Sequence, residues 1–341
     1  MRKILIFSLT YYPDFIGGAE VAIKEITDRI SPQEIEFDMV TLGSKAVERI
    51  GNINVYRVGK LNLLNKLLFP ISGTFKMISL LRKRKYDAFW AMMVTYSSGC
   101  AYIVNILRLL CCLKKIPIIL SLQEGDSQEH IARNWLGLIA LSWKLALKRT
   151  KHVTALSNYL MEEAKRYGYN GLITIVPNGV DLNLFSQKKS QNELDILKHK
   201  FGKRANDIFL ITTSRLVEKN AVGDIIDSLS YLPENVKLLI LGTGKLENIL
   251  KNQVEKLKLR ERVEFLEYIP HSEMPQYLHI SDIFIRPSLS EGFGNSYIEA
   301  MGAGIPVIAT PVGGIVDFLK DGETGLFCEV RNPRSIAQKV E

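Results

Sequence analysis

The segment that organises this sequence reads Arg286-Pro287-Ser288-Leu289-Ser290-Glu291-Gly292-Phe293-Gly294-Asn295-Ser296-Tyr297-Ile298-Glu299-Ala300-Met301-Gly302-Ala303-Gly304. An apolar run of strand type, residues 283–285, precedes it, and residues 305–310 form a second such run behind it. A strand that passes through a glycine-bearing loop into a helix offers free backbone N–H groups and the positive end of the helix dipole. The segment therefore predicts a site for an anionic or polyhydroxylic ligand, with Glu291 and Glu299 as candidate acceptors of hydroxyl groups.

Strand-like and helix-like segments alternate along the whole chain. The further runs of strand type are residues 3–8, 37–42, 88–91, 117–121 and 153–156, and then 208–212, 236–242 and 263–265. A helical pattern at residues 19–30 follows the loop that holds Gly17 and Gly18. Such alternation predicts parallel sheets that are covered by helices on both faces.

The turn Pro177-Asn178-Gly179-Val180-Asp181 interrupts this alternation near the middle of the chain. We therefore expect two Rossmann-like α/β domains, residues 1–178 and 179–341, joined at this turn. With 341 residues and 47% hydrophobic side chains, the chain can fill two cores. Because parallel sheets bind ligands at the carboxyl ends of their strands, two such domains predict a deep ligand cleft between them.

The net charge of +8 is unevenly distributed. Residues 49–161 contain 17 Lys and Arg against four acidic residues, so the remainder of the chain is mildly acidic. This asymmetry predicts an anionic partner for the first domain. Since no recognised nucleic-acid-binding motif accompanies the basic residues, we do not expect that partner to be a nucleic acid.

Two segments of the basic half, residues 57–85 and 131–151, mix apolar side chains with Lys and Arg and contain no acidic residue. Helices of this kind can lie on an anionic membrane surface and gain about 1 kcal/mol per basic residue near the lipid. The alternative is a pair of core helices whose outward faces are basic. The long acid-free stretches favour the membrane surface.

The cysteines and the apolar runs indicate in which cellular compartment the protein works. The four cysteines show neither a disulfide framework nor a C-x-x-C spacing, which indicates a reducing compartment. The apolar run near the N-terminus is too short for a signal peptide, and no run approaches the ~20 residues of a membrane span. We therefore expect a cytoplasmic protein.

Common catalytic signatures do not match this sequence. The stretch Gly242-Thr243-Gly244-Lys245 lacks the leading glycine and the hydroxyl residue of a P-loop. There is no H-E-x-x-H motif, no nucleophile elbow and no cysteine-based zinc spacing.

Four motifs together resemble one family. They are Gly17-Gly18-Ala19-Glu20, the Pro-Asn-Gly turn at residues 177–181, Ser214-Arg215-Leu216-Val217-Glu218-Lys219, and the pair Glu291 and Glu299 with seven residues between them. In this order they resemble the retaining glycosyltransferases with the GT-B fold, which form family 4 in the classification of glycosyltransferases. The resemblance extends from residue 1 to about residue 335. It implies that a hexosyl or N-acetylhexosaminyl group passes from a UDP- or GDP-sugar to a lipid-linked or polysaccharide acceptor with retention of configuration.

The resemblance also implies where the donor binds. Glu299 is expected to accept hydrogen bonds from the donor ribose, and Glu291 to lie beside the transferred sugar. The backbone N–H groups of Gly292, Phe293 and Gly294 would hold its hydroxyls or the diphosphate. The alternative for Glu299 is a capping box, because Ser296-x-x-Glu299 fits that pattern.

A leaving diphosphate needs fixed positive charge, which the resemblance assigns to Arg215 and Lys219. No metal or other cofactor is then implied. The family commonly has a second lysine followed by glycine where this chain has Asn220-Ala221, so either Lys219 or Asn220 could face the diphosphate. Gly17 and Gly18 would bring N–H groups to the same diphosphate from the first domain.

The acceptor side departs further from the family. Many members have a histidine after the strand at residues 117–121, where this chain has Gln123 and Glu124. Gln123 could bind sugar hydroxyls, and Glu124 could bind them or move protons. The five histidines themselves are expected to have surface or packing roles. Relatives also continue with further helices where this chain stops, which suggests a truncated C-terminus. Because of the two basic segments, we expect the enzyme to be peripheral on the inner face of the cell membrane.

Two other functions stay open at this point. One is a different GT-B activity, such as a sugar-nucleotide epimerase. The other is a nucleotide- or lipid-binding protein with impaired catalysis. The departures from the family at Asn220 and Gln123 suggest this alternative.

Overall fold

The computed structural model describes residues 1–44, 47–125, 138–187 and 189–341. The chain divides into two compact units, Met1–Asn178 and Gly179–Glu341. This division falls in the Pro-Asn-Gly turn where the sequence places the domain boundary.

The N-terminal unit is built on an eight-stranded sheet in the order β3-β4-β2-β1-β5-β6-β7-β8. Its strands are β1 (Arg2–Phe7), β2 (Ile35–Leu42), β3 (Val47–Ile50), β4 (Ile53–Val58), β5 (Ala88–Met92), β6 (Ile118–Leu122), β7 (His152–Ala155) and β8 (Leu172–Ile175). All neighbours pair in parallel except β3, which runs antiparallel to β4 at the edge. The sequence predicts the central strands and misses β3, β4 and β8, which lie towards the edges and are less continuously apolar.

Helices link these strands. They are α1 (Gly18–Asp28), α2 (Leu63–Leu81), α3 (Ser97–Leu110), α4 (Leu138–Arg149) and α5 (Asn158–Arg166). The helix α3 packs against both α2 and α4. Within the described ranges, no helix combines the length and the apolar character that crossing a membrane requires.

The segment 57–85 is not one amphipathic helix, which corrects the sequence-based expectation. Arg57 lies in β4, and its buried side chain forms ion pairs with Asp14 and Glu48. At the other end, Arg84 forms ion pairs with Glu36 and Asp38. These two arginines therefore hold the domain together instead of facing a membrane. Of the second basic segment, residues 131–137 lie outside the described residues.

The outward side of α2 is nevertheless apolar. Its exposed large side chains are Leu63, Leu64, Leu67, Leu68, Ile71 and Phe75. The alternative reading, a core helix with a basic outward face, is wrong for α2 because so many of its apolar side chains are in contact with solvent.

The C-terminal unit is built on a six-stranded sheet in the order β11-β10-β9-β12-β13-β14. Its strands, all paired in parallel, are β9 (Ile208–Thr213), β10 (Val236–Leu241), β11 (Val263–Leu266), β12 (Ile283–Arg286), β13 (Val307–Ala309) and β14 (Leu326–Phe327). Its helices are α6 (Leu182–Phe185), α7 (Gln191–Lys200), α8 (Val222–Ser228), α9 (Glu247–Lys256), α10 (Met274–His279), α11 (Asn295–Gly302) and α12 (Pro333–Val340).

Consecutive residues of these strands enter two different cores. Leu210 belongs to one hydrophobic cluster, while Phe209 and Ile211 belong to the other. Both faces of the sheet are thus covered, which explains why its strands are continuously apolar in sequence.

The order of the strands creates a switch point between β9 and β12. From β9 the chain proceeds outward through β10 and β11, and it then returns to place β12 on the other side of β9. The connections after β9 and β12 consequently turn to opposite faces of the sheet, which leaves a crevice at their carboxyl ends. The segment 286–304 begins at that crevice.

Candidate functional site at the switch between β9 and β12

The loops that follow β9 and β12 are fixed to each other. The N–H of Leu289 donates to the carbonyl of Lys219 over 2.7 Å. The first loop is also tied to the neighbouring strand connection, because the N–H of Leu216 donates to Thr243 and that of Leu246 to Leu216. The backbone of the site is therefore rigidly supported on the sheet.

Arg286, the last residue of β12, is the centre of a buried polar network. Its Nη2 donates to Glu291 Oε2 over 2.6 Å and to Asn220 Oδ1 over 2.9 Å. Its Nη1 donates to Ser296 Oγ over 2.7 Å. The side chains of Arg286 and Glu291 are each only 11% exposed, so the ion pair is largely shielded from water. No motif in the sequence predicts this role for Arg286.

Tyr297 completes the surroundings of this guanidinium. Its ring centroid lies 5.5 Å from the Arg286 Cζ, a cation–π distance, and its hydroxyl donates to the Arg286 carbonyl over 2.7 Å. Burial raises the pKa of the Tyr297 hydroxyl, which therefore stays neutral and available as a donor.

Asn220 does not face a diphosphate, which corrects one of the sequence-based alternatives. The residue is 2% exposed. Its Oδ1 accepts from Arg286, and its Nδ2 donates to the carbonyl of Arg215 over 2.6 Å. The amide thus braces the loop, and of the two alternatives only Lys219 remains for a role at the diphosphate.

Arg215 lies on this braced loop, directly after β9. Its side chain is exposed and its carbonyl accepts hydrogen bonds from Asn220 and Val217. Lys219 is partly exposed in the short 3₁₀ turn Glu218–Asn220. Both predicted cations therefore lie on the loop that contacts the Glu291 loop, and their role at a diphosphate stays a prediction.

The glycine loop leads into α11 as the sequence predicts. Gly294 is the N-cap residue with φ +92°, a conformation that glycine adopts without strain. It has no side chain that could accept the first N–H groups of the helix, which suits an anion site. Phe293 turns its ring into the core against Phe318, at a centroid distance of 5.0 Å. Only the backbone of residues 292–294 can therefore serve a ligand in the way predicted.

Glu299 lies on α11, and its partner was not foreseen. His271 Nε2 is 3.0 Å from Glu299 Oε1, whereas the sequence predicts only surface or packing roles for the histidines. The capping-box alternative is wrong, because the helix begins at Asn295 and Ser296 accepts its hydrogen bond from Arg286. Glu299 therefore does not serve as a capping residue, and its use in ligand binding stays a prediction.

In the N-terminal unit, the glycine pair stands at the start of α1. The N–H of Gly17 donates to the carboxylate of Glu20 over 3.0 Å, and Thr10 donates to the same carboxylate over 2.6 Å. The N–H of Gly17 is thus engaged within its own domain. The contribution of Gly17 and Gly18 to a diphosphate site stays a prediction.

The two acceptor-side candidates behave differently from each other. Glu124 is buried, and its two carboxylate oxygens accept from the N–H groups of Val94 and Gln123. The first of these bonds joins the loops after β5 and β6, and the second lies within the loop after β6. Both oxygens of Glu124 thus accept from backbone N–H groups, which argues against the two predicted options for this carboxylate, binding sugar hydroxyls or moving protons. Gln123 forms a reciprocal amide pair with Asn178, at 3.2 and 3.3 Å, and is partly exposed.

Two family models match the chain in succession. The model described as Glycosyltransferase Family 4 matches residues 16–184, and that described as Glycosyl transferases group 1 matches residues 195–341. The chain belongs to the group 1 glycosyltransferases. Its predicted Glu-x7-Glu segment lies in the second of the two matched regions.

Relatives agree with this assignment along almost the whole chain. An uncharacterized glycosyltransferase of Methanocaldococcus jannaschii is 25% identical over 99% of the chain and 88% of its own length. The UDP-Gal:alpha-D-GlcNAc-diphosphoundecaprenol alpha-1,3-galactosyltransferase of Escherichia coli is 26% identical over 97% of the chain and 85% of its own length.

The fold of this group 1 glycosyltransferase is GT-B, as predicted. HepE of Anabaena, crystallised in complex with UDP and glucose, superposes with a TM-score of 0.76 at 21% identity. The superposition covers 99% of the chain and 88% of HepE. Two Rossmann-like α/β domains are the shared architecture.

The first prediction concerns the Arg286–Glu291 pair. In a double-mutant cycle with Arg286→Met and Glu291→Gln, we expect a coupling free energy of about 1–3 kcal/mol, because both charges are shielded from water. Arg286→Met should destabilise more than Glu291→Gln, since it also removes the partner of Asn220 and Ser296. Native-state hydrogen exchange of the β9 and β12 amides in the full chain measures both effects.

The matched control is the pair Arg260 and Glu255, 3.8 Å apart with side chains 81% and 61% exposed. The same cycle there should give a coupling free energy near zero. Equal coupling energies for the two pairs would show that burial gives the Arg286–Glu291 contact no special strength.

Proposed function

We propose that this group 1 glycosyltransferase moves a hexosyl or N-acetylhexosaminyl group from a UDP- or GDP-sugar to a lipid-linked or polysaccharide acceptor, with retention of configuration. The observation that carries the proposal is the placement of Glu291, Glu299 and Arg215 on rigid elements at one switch point. The acceptor class draws support from the Escherichia coli relative, whose name specifies a diphosphoundecaprenol-linked acceptor.

In this proposal, the donor lies across the loops that follow β9 and β12. Glu299 accepts hydrogen bonds from the ribose hydroxyls, and charged acceptors make such bonds worth roughly 1.5–3 kcal/mol. His271, at 3.0 Å from Glu299, orients this carboxylate from the protein side. Glu291 Oε2 accepts from Arg286. In this proposal the other oxygen, Oε1, is the one that meets the transferred sugar.

Breaking the bond between sugar and phosphate leaves negative charge on the diphosphate and a cation-like sugar. The exposed guanidinium of Arg215 stabilises the leaving diphosphate, together with Lys219 and the N–H groups at the start of α11. Because the loop beneath Arg215 is braced by Asn220, its charge is in position before the donor arrives. Fixed charge of this kind lowers the barrier without reorganisation during the reaction.

We further propose that the enzyme works on the inner face of the cell membrane and that α2 makes the contact. The exposed apolar row of α2 is accompanied by Lys60, Lys66 and Lys76. Apolar side chains that enter the interface, flanked by cations, favour anionic lipid.

The donor proposal predicts a specific loss of nucleotide binding. Glu299→Ala should weaken UDP or GDP binding roughly 10- to 100-fold, because it removes a charged acceptor of ribose hydrogen bonds. A thermal-shift titration with UDP, GDP and ADP measures the loss and identifies the preferred base. The control Glu264→Ala alters an exposed carboxylate on β11 and should leave binding unchanged. Wild-type affinity in the Glu299 variant would remove the basis of the donor assignment.

The reaction proposal predicts the configuration of the product. Once the donor base and an acceptor are known, proton NMR of the first product should show the same anomeric configuration as the donor sugar. An inverted product would refute retention. A change of the donor sugar in the absence of any acceptor would instead indicate an epimerase.

The membrane proposal predicts selective binding to anionic vesicles. In flotation assays, the double variant Leu64→Glu, Leu68→Glu should bind such vesicles at least tenfold more weakly, since it puts acidic groups on the α2 face. The control Leu172→Glu changes a leucine on the edge strand β8 that is as exposed as Leu64, and it should have no such effect. Equal binding to neutral and anionic vesicles would contradict the proposal.

A further inference from the structure

The N-terminal unit contains a cavity of about 170 Å³ that the donor site does not use. Three helices and the loop after β5 form its wall: α2 supplies Leu67 and Pro70, the loop Thr95 and Tyr96, α3 Gly99 and Tyr102, and α4 Ile139 and Ser142. Most of the wall is apolar. The cavity lies between helices that all follow parallel strands of the same sheet.

The position of the cavity along these helices is informative. Its helical wall residues fall in the first half of α2 and in the first two turns of α3 and α4. The starts of these helices lie beyond the carboxyl ends of the strands that precede them. That edge is where open α/β sheets bind their ligands. The cavity adjoins the loop after β5, and β5 is one of the two strands, with β1, at which the strand order switches direction.

Backbone strain marks the same place. Tyr96, another wall residue, has φ +67° and ψ −55°, and the N–H of Ser97 donates to the carbonyl of Thr95 over 2.8 Å. This is a γ-turn of the rare, strained type, which a tyrosine adopts only when its surroundings enforce it. Met93, three residues earlier, also has a φ of +67°. Such strain concentrates at ligand sites, which agrees with a binding role for the cavity.

The size of the cavity limits its occupant. An apolar cavity of about 150 Å³ takes a molecule such as benzene, so this one suits about six carbon atoms. Pockets for ligands the size of a nucleotide-sugar begin at roughly 300 Å³. The cavity is therefore too small for the donor, and its walls are too apolar for a sugar.

The surroundings indicate a hydrocarbon chain in particular. Leu67 is 38% exposed and lies between Leu63 and Ile71 in an i, i+4, i+8 row on α2, so the cavity wall continues into the exposed apolar face. The guanidinium of Arg149 is 5.6 Å from the ring centroid of the wall residue Tyr102. An apolar cavity in a strongly basic domain matches an amphiphile with an anionic head and an alkyl tail.

We propose that this cavity binds a segment of about six carbons from the hydrocarbon chain of the acceptor lipid. The assignment of the occupant as an acceptor rests on the proposed transfer to a lipid-linked substrate. The cavity selects the lipid by its hydrocarbon chain. Polar groups outside the cavity recognise the sugar-bearing end of the acceptor.

The test uses n-alkyl phosphates from butyl to decyl, below their critical micelle concentrations, with inorganic phosphate as the probe without a chain. Calorimetric titration of the full protein without donor should show affinity rising up to about fourfold per methylene and levelling off near six to eight carbons. An affinity independent of chain length, or one that rises without levelling off, overturns the proposal.

Two neighbouring leucines provide matched variants. Leu67→Trp fills the cavity and should weaken hexyl phosphate binding at least tenfold, whereas Leu68→Trp changes an exposed leucine outside the wall and should not. If Leu67→Trp does not fold, Ile139→Trp against Leu141→Trp on α4 repeats the comparison. Equal loss in both members of a pair overturns the proposal, because it would mean adsorption to the helix surface.

The test of the cavity and the test of the proposed function can fail independently of each other. Chain binding is measured without donor, so a protein that binds chains but transfers no sugar would refute the proposed function and keep the cavity assignment. A protein that transfers sugar equally well to acceptors with and without a chain would refute the role of the cavity in acceptor binding.

Discussion

The candidate site depends on burying one charge pair at the end of a strand. Arg286 and Glu291 are largely shielded from water, and burying either charge alone would be costly. The structure offsets this cost by giving the guanidinium further acceptors in Asn220 and Ser296 and an aromatic face in Tyr297. Because these partners come from different loops and from α11, the contacts of one guanidinium also fix the relative positions of the elements that form the site.

The two domains provide for recognition in different ways. In the C-terminal unit, hydrogen bonds and a rigid sheet hold the charged and amide side chains in place. The site is therefore ordered before a ligand binds, and little binding free energy is lost to ordering it. In the N-terminal unit, the notable features are an apolar cavity, strained backbone at Met93 and Tyr96, and exposed leucines on α2. The first arrangement suits a polar, charged ligand, and the second suits an apolar one.

The sequence predicts the central strands, the domain boundary and the Glu291 loop because each is encoded locally by apolar runs and glycines. It does not predict the contact of Arg286 with Asn220, since the two residues are 66 positions apart and meet only because β9 and β12 are neighbours. The contact of His271 with Glu299 was missed for the same reason. Nothing in the sequence around Glu124 indicates that two backbone N–H groups use its oxygens, because Val94 is 30 positions away and meets it only through the pairing of β5 with β6.

The amide of Asn220 has a consequence for how this sequence can change over time. It accepts from Arg286 on one side and donates to the carbonyl of Arg215 on the other. A substitution at either Asn220 or Arg286 alone would leave a buried polar group without its partner, whereas a joint replacement that keeps a donor for the Arg215 carbonyl and a cation beside Glu291 would not. The two positions are therefore expected to vary together among homologues, as a correlated pair that records the adjacency of β9 and β12.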